Sequence, residues 1–342
     1  MKQSYSSLKI DAYAHISPPK FQEAFNKLSK PHSAAEHEPR STDAAPKDLE
    51  SRFQKMDRYE PLVQVLVMHP QGLPDIASEK AVDLVRRGND EVAELVARYP
   101  DRFVAAIALL PMNDMDAALK EADRAIKDLG LRGVCIPTHV NDKPLDSPEF
   151  MPLYEKMCQY NLPIYTHPST HFEDADYRTE NTSKYKIYKV FGWPYATTVM
   201  MTRFVFSGIL ERYPNLKIVT HHCGAMVPYF VERIKEFYDV FLSDTPSSEK
   251  YRQWLTKAPI EYFKMFHNDT ALYGGTSALM CAYDFFGADH LLFATDFPAG
   301  DTQVGSRNYR QTIDAIEQMD ISDVEKKKIF EDNARSLLNL PI

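Results

Sequence analysis

Eight short apolar runs, set apart by segments of helical periodicity, limit what this chain can fold into more than any other feature. The runs fall at about 8–15, 61–68, 103–109, 133–137, 163–167, 216–221, 271–275 and 291–295. Most lack the strict alternation of a half-solvated strand, and continuous apolar runs suit strands covered on both faces. Between them, helical spacing of apolar residues recurs over 75–99, 114–129, 147–160, 195–213 and 322–338. Strand–helix alternation at this spacing predicts an α/β fold, a (β/α)8 TIM barrel. Barrels run long as single domains, so residues 1–342 are read as one domain. Two stretches interrupt the pattern. The polar, proline-containing 30–47 reads as an excursion after the first strand, a flap or dimer arm, and 170–193 reads as an active-site loop.

Charge and composition remove several classes of function. With 40 basic against 48 acidic residues the formal net charge is −8, which opposes a nucleic-acid partner. No apolar run reaches membrane-spanning length, so no membrane partner is expected. The four cysteines, Cys135, Cys158, Cys223 and Cys281, have no paired short spacing. They read as reduced thiols in the cytoplasm rather than as a disulfide or zinc framework.

Chemistry-bearing residues collect where the apolar runs end. His15, His167, His222 and Asp296 each follow such a run, though nearly the whole chain separates the first from the last. In a parallel barrel, residues at the carboxyl ends of different strands meet at one mouth. Imidazoles and a carboxylate gathered there suit a divalent ion, zinc in the first place, with manganese the alternative. His221 and His222 are neighbours, and strand alternation lets only one of them face the mouth. Small residues follow in Cys223-Gly224-Ala225 and permit close backbone approach. Asp296 precedes Pro298 and Gly300, which suits a tight loop better than a helix cap. His69 and His139 also follow strand-like runs and are candidate substrate contacts. Tyr13 lies two residues before His15, on the same strand face. Three roles stay open for it: a phenolate ligand, a hydrogen-bond donor to a bound water, or a filler in a site of weak metal affinity.

These residues carry a resemblance. Lys9-Ile10-Asp11-Ala12-Tyr13-Ala14-His15, Met56-Asp57-Arg58-Tyr59, His139 to Asp146, His167-Pro168, Ser207 to Pro214, His222-Cys223-Gly224-Ala225 and Thr295-Asp296-Phe297-Pro298 are similar to the metal-dependent decarboxylase branch of the amidohydrolase superfamily. That group includes aminocarboxymuconate-semialdehyde decarboxylase. The resemblance implies His15, His167 and Asp296 as metal ligands and His222 as the catalytic histidine. It implies Arg52 and Arg233 as grips on a substrate carboxylate, Arg233 acting across a dimer interface, and Trp193 as an aromatic wall. Tyr13 stands where the family usually has its first ligand histidine.

The expected function is a metal-dependent, non-oxidative decarboxylase of an aromatic or conjugated unsaturated carboxylic acid. His222 or Asp296 would return a proton to carbon, and the working unit would be a homodimer or a higher homo-oligomer. Hydrolysis or hydration of a related small acid would use the same ligands. A catalytically silent barrel that binds a small acid is the rival of another class, and Tyr13 is the residue that supports it.

Overall fold

A computed structural model describes residues 8–28, 46–170, 173–244, 254–298 and 307–342. Eight parallel strands form one sheet: β1 (Lys9–His15), β2 (Leu62–Val67), β3 (Phe103–Leu109), β4 (Val134–Pro137), β7 (Ile164–His167), β8 (Ile218–Thr220), β9 (His267–Asp269) and β10 (Leu291–Leu292). A small hairpin, β5 (His139–Val140) and β6 (Lys143–Pro144), stands apart from the sheet. The sheet closes on itself: Ala12 N donates to Phe293 O at 2.8 Å and His15 N to Phe297 O at 2.7 Å. The chain is therefore the (β/α)8 barrel that the run spacing predicts.

Every residue of β1, β4 and β7 is buried, as strands enclosed by helices outside and by packed side chains inside must be. The helices follow their apolar stripes. Ser78–Arg98 buries Ala81, Leu84, Val85 and Val92 on one face. Asp114 caps Met115–Lys127 by accepting from Ala117 N at 3.0 Å. Ser322 and Glu325 form a capping box at the last helical run, which reaches Leu337 through a π-helical turn. Among the described residues no helix is long and apolar enough to cross a membrane. Of the 30–47 stretch, residues 30–45 lie outside the described ones, and Pro46 opens a helix, Pro46–Met56.

One strand is not where its apolar run suggests. The seventh barrel strand is His267–Asp269, not 271–275. Tyr273, Gly274 and Gly275 have φ of 54°, 96° and 90°, a left-handed turn that cannot join a parallel ladder. The polar strand is stable because its side chains find hydrogen-bond partners, across the sheet and within its own run. Asn268 Oδ1 accepts from Thr220 Oγ1 at 2.6 Å, and Asn268 Nδ2 donates to Phe266 O at 3.0 Å.

Candidate active site at the strand ends

The carboxyl ends of β1, β7, β8 and β9, with the loops after β2 and β10, bring five histidines and two carboxylates together. His15 and His167 are the last residues of β1 and β7, and Asp269 is the last of β9. His221 follows β8 directly, His69 follows β2, and Asp296 lies on the loop after β10. His15, His167 and His221 each offer a ligand atom within 4.8 Å of the others, and so do His221, His222 and Asp296.

Three of these rings are wired alike. The Nδ1 of His15 lies 3.1 Å from Val67 O, and that of His167 lies 2.9 Å from Pro168 O. A carbonyl only accepts, so Nδ1 carries a proton in each ring and Nε2 is the nitrogen turned toward the cluster. The Nδ1 of His221 bonds the Asp269 carboxylate. The other Asp269 oxygen accepts from Cys223 N at 3.1 Å and Ala271 N at 3.0 Å. His15 Nε2 and His221 Nε2 are buried without a well-aligned hydrogen bond among the described residues. They lie 3.2 Å and 3.4 Å from the same atom, Asp296 Oδ1. The second oxygen of Asp296 accepts from Tyr273 Oη at 2.5 Å. His69 lies flat against His15, ring centroids 3.6 Å apart, with its Nδ1 3.2 Å from His167 Nε2.

Burial and neighbouring charge set the protonation states. Burial, then the neighbouring His15 and His221, holds His167 well below the usual imidazole range. His221 is the exception: burial opposes its charged form, but Asp269 and then Asp296 outweigh it and push its pKa up to about 10. Asp296 is likewise desolvated, yet His15 and His221 keep it well below the ordinary carboxylate value. Burial and the nearby His221 pull His222 down to about 3.

Both His221 and His222 reach the cluster, whereas strand alternation allows only one. The strand stops at Thr220, and His222, Cys223, Gly224 and Ala225 all have φ between 55° and 73°. This left-handed turn swings both imidazoles to the same side. Gly224 is required there, since a Cβ would meet Phe286 Cε2 at 2.5 Å. Trp193 walls the site, its ring stacked 6.0 Å from His222 and edge-on 5.7 Å from His167.

Tyr13 spans the barrel. Its ring stacks on His221 at 4.2 Å, and its hydroxyl donates to Thr166 O at 3.3 Å, with Cys135 Sγ at 3.8 Å. Burial, and then the nearby Cys135 and Asp269, push the phenol well above its ordinary pKa.

Three further candidates lie outside the cluster. Arg52 is fully buried and sits 5.6 Å over the Phe103 ring and 4.9 Å over Phe297. It donates to Gln64 Oε1 at 2.6 Å and to the main-chain carbonyl of His15 at 3.0 Å, so it meets the site through backbone. His139 is on the hairpin, bonded to Ser169 O, and lines a lateral cavity of about 430 Å³ with Thr138, Thr170 and Arg203. Arg233 lies on the exposed helix Val231–Asp244, 4.5 Å over Phe237. Sequence reasoning missed His221, Asp269 and Tyr273. The last two were lost with the misplaced seventh strand, and the doubled histidine was the one available sign of the first.

The amidohydrolase family profile matches residues 10–340. The chain belongs to the amidohydrolase family. Within it, the gamma-resorcylate decarboxylase of Polaromonas sp. is 31% identical over 301 residues, spanning 84% of this chain and 86% of its own length. The 2-amino-3-carboxymuconate-6-semialdehyde decarboxylase of Dictyostelium discoideum is 27% identical, spanning 98% of this chain and 92% of its own. A solved family structure is similar throughout: a dihydroxybenzoic acid decarboxylase from Polaromonas sp., with bound manganese and the inhibitor 2-nitroresorcinol. It has a TM-score of 0.78 at 25% identity and covers 97% of both chains.

The residues fit a divalent cation. Imidazole nitrogens and a carboxylate converge: His15 Nε2 and His221 Nε2 flank one oxygen of Asp296, and His167 Nε2 lies beside them, facing His69 Nδ1. Their 3.2 Å and 3.4 Å separations are close to the edge of about 3.3 Å expected between tetrahedral donors about 2.0–2.1 Å from zinc.

Proposed function

We infer that the protein is a non-oxidative decarboxylase of an aromatic acid, dependent on a divalent metal held by His15, His167 and Asp296. One observation carries this: the convergence of inward-facing imidazole nitrogens and the Asp296 carboxylate at the barrel mouth, in a family whose similar members are decarboxylases. Bound there, the cation would stabilise negative charge developing on an oxygen near the carbon that loses carbon dioxide. Manganese and zinc both suit an imidazole–carboxylate set, and manganese is the ion in the Polaromonas structure. The substrate we propose is a hydroxybenzoate, whose ring is the right shape to lie along Trp193.

In the reaction, the bond from ring to carboxyl carbon breaks and its electron pair stays on the ring. A proton must then reach that carbon. His222, beside Trp193 and less buried than His221, is placed to deliver it. His222 is held neutral, so it acts as a relay for a proton from solvent. Asp296, bonded by Tyr273, is the alternative route: ionised, it would first accept a proton and then pass it to the carbon. Tyr13 takes the strand position of a first ligand but contributes no oxygen to the site, because its hydroxyl is bonded across the barrel.

The carboxylate grip we assign to Arg233 of a second copy. Its helix and the turn before it expose Tyr229, Phe230 and Phe237, an aromatic face suited to a homodimer. Arg52, under the site, would act by fixing the carbonyl of His15. The four free cysteines suit the reducing cytoplasm.

The test is turnover. Protein loaded with manganese or zinc is given a panel of hydroxybenzoates, and bicarbonate release and product mass are followed. Loss of carbon dioxide is expected. A gain of water would favour hydrolysis or hydration, and no turnover with metal bound would refute the reading.

A further inference from the structure

We propose that His221 is a fourth protein ligand of the cation, supplying the donor that Tyr13 does not, and that His222 alone is left for proton transfer. The inference rests on the metal reading above and adds a division of labour between two adjacent histidines.

The geometry treats His221 as it treats the two strand-end histidines. All three present Nε2 inward and anchor Nδ1 on an oxygen outside the cluster. Metal-bound histidines characteristically have this outer partner, which fixes the tautomer and raises the basicity of the inner nitrogen. The anchor of His221 is the strongest of the three, a buried carboxylate, itself held by Cys223 N and Ala271 N. His221 Nε2 lies 3.4 Å from Asp296 Oδ1 and His15 Nε2 lies 3.2 Å from it, so the two nitrogens approach the same oxygen alike.

Access separates the two neighbours. The His221 ring is sandwiched, with Tyr13 against it at 4.2 Å and His222 at 3.9 Å. Its side chain is 1% exposed, and the edge carrying Nε2 points at the shared donors. His222 is only partly buried and faces Trp193, where an aromatic ring would lie. Tyr13 belongs to the same arrangement. Its ring supports His221 from below, and its hydroxyl is directed to Thr166 and Cys135.

The test counts ligands directly. In the cobalt-substituted wild-type protein, each imidazole bound through Nε2 gives one hyperfine-shifted, solvent-exchangeable Nδ1–H proton resonance. Three are expected, from His15, His167 and His221. His221→Gln should lose one of them and bind cobalt and manganese at least tenfold more weakly. His222→Gln should keep all three and the wild-type affinity while losing turnover. Two resonances in the wild type, an unchanged count or affinity in His221→Gln, or a resonance lost in His222→Gln would each overturn the assignment. The wild-type count needs no variant, so it decides the matter even where His221→Gln does not fold. Failure of the wild type to take up any divalent cation would instead refute the metal-dependent reading itself.

Discussion

Replacing Asp269 by Asn keeps the shape of the side chain and should invert the tautomer of His221. The structure shows why. One Asp269 oxygen accepts from Cys223 N at 3.1 Å and Ala271 N at 3.0 Å, and the other faces His221 Nδ1. An Asn there must keep its oxygen on the two backbone amides, so its NH2 faces His221. The ring must then accept at Nδ1 and carry its proton on Nε2, aimed at Asp296. The opposite amide orientation would preserve the tautomer but leave two buried N–H donors unpaired, at about 1–3 kcal/mol each. Recovering a lone pair on Nε2 therefore costs roughly 2 kcal/mol or more, which converts to a loss in metal affinity of about 30-fold at the least. Changes to such outer partners commonly weaken metal binding by about 10- to 100-fold. Chelator competition with manganese measures the affinity, and long-range proton–nitrogen correlation of the metal-free Asp269→Asn protein reads the tautomer. Wild-type affinity in Asp269→Asn would refute the reasoning. So would weakened binding with the His221 proton still on Nδ1.

Other perturbations test separate parts of the structure. Gly224→Ala puts a Cβ 2.5 Å from Phe286 at a φ of +73°, so backbone strain and overpacking together should lower stability by about 2–4 kcal/mol in urea unfolding; an unchanged midpoint would contradict the packing described. Tyr13→Phe removes a hydroxyl bonded, among the described residues, to Thr166 and Cys135, and should lower stability by about 1 kcal/mol while metal affinity stays within about twofold; loss of the metal would make the phenol a ligand after all. His267, desolvated and beside His290 and Lys217, has its pKa pulled down to about 3 from 6.5. Below pH 6.5 the unfolded chain binds a proton that the folded chain refuses, so stability falls as pH drops from 6.5 toward 3, by up to about 1.4 kcal/mol per pH unit. His267→Leu should flatten that part of the urea-midpoint profile, and an equal acid sensitivity in the variant would assign it to other groups.

The sequence alone determined the barrel and the outline of its site. Continuous apolar runs alternating with helices call for a parallel sheet covered on both faces, eight such runs suit a closed barrel, and residues that end the runs of a parallel barrel are forced to one mouth. His15, His167 and Asp296 were legible for that reason. Trp193 became legible only through the resemblance of the surrounding motifs. What tertiary structure decided lies where local pattern and long-range bonding disagree. The strand His267–Asp269 is polar, and its ladders with β8 and β10 and its side-chain bonds to Thr220 and His221 hold it in the sheet, so Asp269 had no local signature. A left-handed turn after Thr220 broke the alternation that would have kept one of His221 and His222 out of the site. Tyr13 and Arg52 look chemical in one dimension. In three, the phenol is bonded across the barrel and the guanidinium is buried against the His15 carbonyl, because a hydrogen bond to a distant strand leaves no mark on the residues beside it in the chain.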